Sequence, residues 1–87
     1  MGLDLVELII SIEEAFDISI DDEEAGKVVT VNDCYQLILR NLANNNDKSL
    51  SDEQVWGIMK NLIITQLGVK PEEVVPEAEF IKDFGAD

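Results

Sequence analysis

The sequence predicts a small all-α bundle, and three observations carry that prediction. Three stretches place apolar residues at helical spacing, cap motifs open two of them, and no stretch has the β-branched alternation of a strand. With 87 residues and 46% hydrophobic side chains, the chain has material for one core and too much for a disordered tail. A single domain over 1–87 is expected, with three main helices, one short helix and one long structured loop.

The first helix is expected from Leu3 to Phe16, with Leu5, Leu8, Ile9, Ile12 and Phe16 on one side. Asp4, Glu7, Glu14 and, at the edge, Glu13 fall on the other, and Asp4 and Glu7 suit the positive end of the helix dipole. Residues 17–22 break the period and read as a loop whose Ile18 and Ile20 tuck inward. Asp21 or Asp22 then caps a short helix over Glu23 to Lys27, which Gly26 weakens. Thr30 with Asp33 is a short version of a capping box. Beyond it Val31, Cys34, Tyr35, Ile38 and Leu42 form the next apolar stripe. Residues 44–49 (Asn-Asn-Asn-Asp-Lys-Ser) are a linker by composition. Ser51 with Gln54 makes a second capping box before Val55, Trp56, Ile58, Met59, Leu62, Ile63 and Leu67, and Gly68 is the expected C-terminal stop. Pro71 suits the first position of a helical turn. From Pro76 onward the chain is loop-like, with Val74, Val75, Phe80, Ile81 and Phe84 available to pin it to the core.

Composition excludes several functions. The chain has no histidine, which removes the usual general base and the commonest metal ligand. Its one cysteine, Cys34, cannot form an internal disulfide, fits a reducing compartment, and lies on an apolar face without a base beside it. Nineteen acids against six bases give a net charge of −13, a poor match to nucleic-acid phosphates or anionic lipid and a good match to a basic partner. Residues 1–26 hold nine of those acids and no base, a concentration that suggests docking where a uniform excess would suggest only solubility. The longest apolar runs, such as Leu8-Ile9-Ile10, are far too short to span a membrane, and no signal-peptide pattern opens the chain. Met1-Gly2 is not followed by a myristoylation signal, because Val6 occupies the Ser or Thr position. Asp17, Ser19 and Asp21 alternate like calcium-loop ligands, but Asp22 and Val28 stand where glycine and glutamate are needed. No metal site is expected beyond weak association of divalent ions with Asp21, Asp22, Glu23 and Glu24. Carboxylates on an exposed helix lack a pocket that would part their pKa values, so no enzyme is expected either.

The stretch Leu67-Gly68-Val69-Lys70-Pro71-Glu72-Glu73-Val74 through Phe80-Ile81-Lys82-Asp83-Phe84-Gly85-Ala86-Asp87 resembles the first half of acyl carrier proteins. Leu3-Asp4-Leu5-Val6-Glu7-Leu8 through Glu13-Glu14-Ala15-Phe16-Asp17-Ile18 resembles their second helix, and Val29-Thr30-Val31-Asn32-Asp33 the entry to their last. These blocks stand in exchanged order. In that family Gly-Ala-Asp runs directly into Ser-Leu-Asp; here Gly85-Ala86-Asp87 follows in the chain and Leu3-Asp4 precedes. The sequence thus resembles a circular permutant cut at the prosthetic-group site. Residues 1–43 correspond to the second to fourth family helices, 44–50 to a new linker, and 51–87 to the first family helix and long loop. Six extended linker residues reach about 20 Å, enough to join helix ends that a bundle brings close.

What the resemblance implies follows residue by residue. The family carries 4′-phosphopantetheine on the serine hydroxyl and acyl groups on the cofactor's thiol, in fatty-acid or polyketide biosynthesis in the cytoplasm. Gly2, flanked by Asp87 and Leu3, stands at that serine's position and has no hydroxyl, so no cofactor is expected on this chain. Ser11, Ser19, Ser49 and Ser51 lack the Asp-Ser-Leu context. Asp4, Glu7, Glu13, Glu14 and Asp87 match the acids that face basic patches on phosphopantetheinyl transferase and acyl-chain synthesis enzymes. Leu8, Ile12, Ile20, Ile38, Ile58 and Leu62 are candidates for lining an acyl cavity, and core packing accounts for each of them equally well. Trp56 and Tyr35 read as core or rim aromatics. A monomer is expected, with a domain-swapped dimer open to it through the Phe80–Asp87 tail. The competing reading is an acidic helical adaptor that never carried a cofactor, which would have no reason to possess the Gly85-Ala86-Asp87 and Leu3-Asp4-Leu5 blocks.

Overall fold

The computed structural model describes residues 3–86, Leu3 by its backbone alone. Four α-helices and one 3-10 turn follow in order: α1 (Leu3–Phe16), α2 (Asp22–Ala25), α3 (Val31–Asn44), α4 (Asp52–Leu67) and the turn Pro71–Glu73. Among the described residues there is no strand, only an isolated antiparallel bridge between Thr30 and Glu79. The fold is a small all-α bundle in which α4 packs against both α1 and α3.

Each helix starts and stops for local reasons. At α1's end Asp17 takes a left-handed conformation (φ 55°), and the Ile18 N–H donates back to the Glu13 carbonyl at 3.1 Å. That bond satisfies a carbonyl the helix leaves open. The short helix begins at Asp22, one residue earlier than expected, and ends at Ala25. Asp21 occupies its N-cap without a side-chain hydrogen bond, so the expected carboxylate cap is not made. Both expected capping boxes form. Thr30 Oγ1 accepts from the Asp33 N–H at 3.1 Å while Asp33 Oδ2 accepts from the Thr30 N–H at 3.0 Å. Ser51 and Gln54 reciprocate at 3.2 and 2.8 Å. Gly68 ends α4 with φ 69°, a conformation in which a side chain would be strained.

The entry to α3 is also where the C-terminal segment docks. A helix leaves its first four N–H groups without helical partners. Here the Thr30 N–H donates to Asp33 Oδ2 at 3.0 Å, Val31 and Asn32 donate to the carbonyls of Ala78 and Pro76 at 2.9 Å each, and Asp33 donates to Thr30 Oγ1. In return the Phe80 N–H donates to the Val29 carbonyl at 3.0 Å. Phe80 itself is fully buried, its ring edge-on to Phe84 at 5.9 Å between centroids.

The core joins Leu8, Ile12, Val31, Ile38, Val55, Met59, Ile63 and Phe80. Ile18 and Ile20 tuck inward as expected. Two expected pins do not: Val75 is 38% and Ile81 63% exposed, and the small side chains of Ala78 and Ala86 are buried in their stead. Cys34 is buried, and desolvation, reinforced by the charge of Asp33, pushes its thiol up to about 12. It behaves as a small apolar group.

Candidate functional site: an apolar cleft beside an acidic helix

One side of α1 does more than fill the core. Leu5 and Ile9 point inward, while Val6 and Ile10, one position further round, stay 48% exposed. The apolar stripe is therefore wider than the core needs. Between α1, α2 and the C-terminal segment lies a cleft of about 600 Å³, lined among others by Leu5, Ile9, Ile20, Ala25 and Ala86, with Val6, Ile10 and Ile81 contributing exposed apolar surface. That volume lies within the range of small-molecule sites. Asp22 and Glu13 also line it. Glu13 Oε2 accepts the Ile20 N–H at 2.8 Å, tying the loop that follows α1 to the helix itself.

The expected docking acids separate into two kinds. Asp4, Glu7 and Glu14 are exposed on α1. Asp4 and Glu7 flank a shallow depression with Gln66 of α4. Glu13 is half-buried and engaged with the backbone, so it holds a loop where an open docking acid was expected. Asp87 lies outside the described residues, as does Gly2.

Three of the four serine hydroxyls are engaged within the chain. Ser11 accepts a hydrogen bond from Gln66 Nε2, bridging α1 and α4. Ser49 Oγ donates to Asp47 Oδ1 at 2.7 Å and Ser51 caps α4. Ser19 is exposed in the loop after α1. None of these four serines has the Asp-Ser-Leu context that the resemblance associates with a phosphopantetheine arm. Among the described residues no three acids or cysteines converge in a way that would hold a metal ion, and no helix is long and apolar enough to cross a membrane.

Of the six residues expected to line an acyl cavity, Ile20 lies on this cleft. Leu8, Ile12 and Ile38 are at 0% exposure inside the core, and Ile58 and Leu62 are half-buried against it. The lining that sequence reasoning missed includes Val6, Ile10, Ile81 and Ala86. A signal existed for the first two: α1 carries more apolar positions than one buried face requires.

No family model matches the chain, and no solved structure matches it. Curated relatives do, among them two acyl carrier proteins. The acyl carrier protein of Desulforapulum autotrophicum is 64% identical over 37 residues, 42% of this chain and 48% of that protein. The acyl carrier protein of Syntrophobacter fumaroxidans is 46% identical over 42 residues, 48% of this chain and 52% of that protein. The chain spans about half the length of the curated relatives it matches, and over that half it is similar to acyl carrier proteins.

Proposed function

We propose that this chain is an acyl carrier protein domain of fatty-acid or polyketide biosynthesis in circularly permuted order, unable to carry phosphopantetheine because Gly2 replaces the attachment serine. It is a carrier scaffold and not an enzyme. The observation that carries this reading is the burial of Ala86, 1% exposed, on the same cleft as Leu5 and Val6 of α1. The block that ends in Gly85-Ala86 thereby shares a cleft with the block that begins with Leu3-Asp4-Leu5, which is what the permuted reading requires of blocks that the family's order joins. The comparisons support the same reading. A colinear match follows one block and breaks at the next, so exchanged blocks yield high identity over about half of each relative.

The cleft beside α1 would shelter the hydrocarbon of an acyl group in a parent that could be loaded. Asp4, Glu7 and Glu14 would meet basic faces of the transferase and synthesis enzymes in the cytoplasm. An exposed ion pair is worth about 0–1 kcal/mol, so that recognition rests on the summed field and weakens as salt rises.

The experiment is a pair of loading reactions with phosphopantetheinyl transferase and coenzyme A, read by intact mass. This chain should show no gain. A reordered chain, running 51–87, then serine, then 3–43, should gain the cofactor's mass. Loading of the present chain, or failure of the folded reordered chain to load, overturns the reading.

A further inference from the structure

A second recess lies on another part of the surface and shares no residue with the α1 cleft. The linker returns the chain so that the first turns of α4 meet the second turn of α3. Tyr35 and Trp56 pack there edge to face, 5.3 Å between centroids at 89°, and the Tyr35 hydroxyl donates to the Asp52 carbonyl at 3.3 Å. Both rings are only half-buried, and with Asn32, Pro76, Asp52 and Glu53 they enclose a groove of about 480 Å³.

We propose that this groove is a docking site for an arginine side chain of a basic protein partner. The aromatic walls suit a flat cation, because a guanidinium stacks on an indole face. The exposed residues Asp52 and Glu53 line the same groove, and their carboxylates offer acceptors that a guanidinium's N–H fork can reach. No basic side chain lines the groove to compete. An apolar side chain would strip water from those carboxylates and return no hydrogen bond. An anion meets two carboxylates in a chain of net charge −13, and a second copy brings the same charge against itself. Lysine satisfies the charge but presents no plane to the ring. The site stands whether or not the carrier reading holds, since it uses none of that reading's residues.

Trp56 is the chain's one tryptophan, so its emission reports this groove alone. The full chain is titrated with a short arginine-containing peptide and with its lysine-for-arginine counterpart at moderate salt. A saturable change in Trp56 emission is expected, with the lysine peptide about two- to fivefold weaker. Glu53→Gln, an exposed substitution checked for unchanged circular dichroism, should weaken the arginine peptide by a similar factor, and Glu7→Gln on α1 should not. Binding that leaves Trp56 emission unchanged overturns the proposal. So do equal losses from Glu53→Gln and Glu7→Gln, and so does an emission change that tracks the chain's own concentration without peptide, which would make the occupant a second copy.

Discussion

Two irregular segments connect or complete the helices, and they behave oppositely. Residues 45–49, in the linker, are exposed, and their hydrogen bonds stay within the linker or reach the end of α3, as when Asp47 N–H donates to the Leu42 carbonyl at 2.9 Å. Residues 74–86 bury Val74, Ala78, Phe80 and Ala86 and complete the N-terminus of α3 with two of their carbonyls. One segment spans a gap; the other is part of the core without being a helix. Lack of regular structure therefore says nothing about dispensability, and the partners of the backbone donors decide it. This contrast is what the proposed permuted order would produce, with a new linker and a long loop taken from the parent.

The sharpest separation between the segments comes from two changes measured by urea unfolding. Phe80→Ala removes a fully buried ring and should cost about 3–5 kcal/mol. Inserting Gly-Ser between Ser49 and Leu50, past the bonds that close α3, should cost less than about 0.5 kcal/mol, because loop closure depends only weakly on length. Equal losses would break the contrast.

The two helix caps test it at the next level down. Ser51 closes the linker and Thr30 receives the C-terminal segment, yet their capping geometry is the same. Replacing a cap hydroxyl by alanine costs about 0.5–2 kcal/mol. Thr30→Ala should lie near the top of that range and Ser51→Ala near the bottom, since a loosened Thr30 also disturbs the bonds that Val31 and Asn32 donate to the C-terminal segment and the one that the Val29 carbonyl accepts from Phe80. Matching losses would mean that the segment holds α3 without help from the cap.

Local chemistry made much of this legible. Thr30 with Asp33, Ser51 with Gln54, and Gly68 each act within four residues of themselves, so their spacing alone revealed both capping boxes and the left-handed stop. What stayed hidden depends on segments far apart in sequence. Ser11 lacks any motif, and its partner Gln66 is 55 residues away. Ile81 looked like a core residue and lies on the cleft, because the turn that buries Phe80 and Ala86 carries it outward. Glu13 was grouped with the docking acids because periodicity assigns a face and does not see that the Ile20 N–H returns to it. The α1 cleft itself was not read from the residues: of the six named for an acyl cavity only Ile20 lines it, and the rest of its lining depends on where the C-terminal segment comes to rest.

The smallest effect concerns two aspartates, one at each joint. Backbone hydrogen bonds from Thr30 and then Val29 hold the Asp33 carboxyl below its usual range. At Asp47 the Ser49 hydroxyl, followed by the Ser49 backbone N–H, does the same. A carboxyl whose pKa is lower in the folded state stabilises the fold above its unfolded pKa, and that contribution is lost as pH falls through the folded value. Both should therefore weaken the protein only on the acid side of the ordinary carboxylate range. The consequences differ because Asp33 Oδ2 holds the Val29 and Thr30 amides where the C-terminal segment docks, whereas Asp47 orders only Ser49. Melting temperature followed downward from neutral pH should fall less steeply in Asp33→Asn than in the parent chain. The Asp47→Asn curve should flatten less, because the exposed Asp47 carboxyl holds only Ser49. A flattening in Asp47→Asn as large as that in Asp33→Asn would give the linker a structural role equal to that of the C-terminal segment, and the distinction between a spanning segment and a core segment would fail.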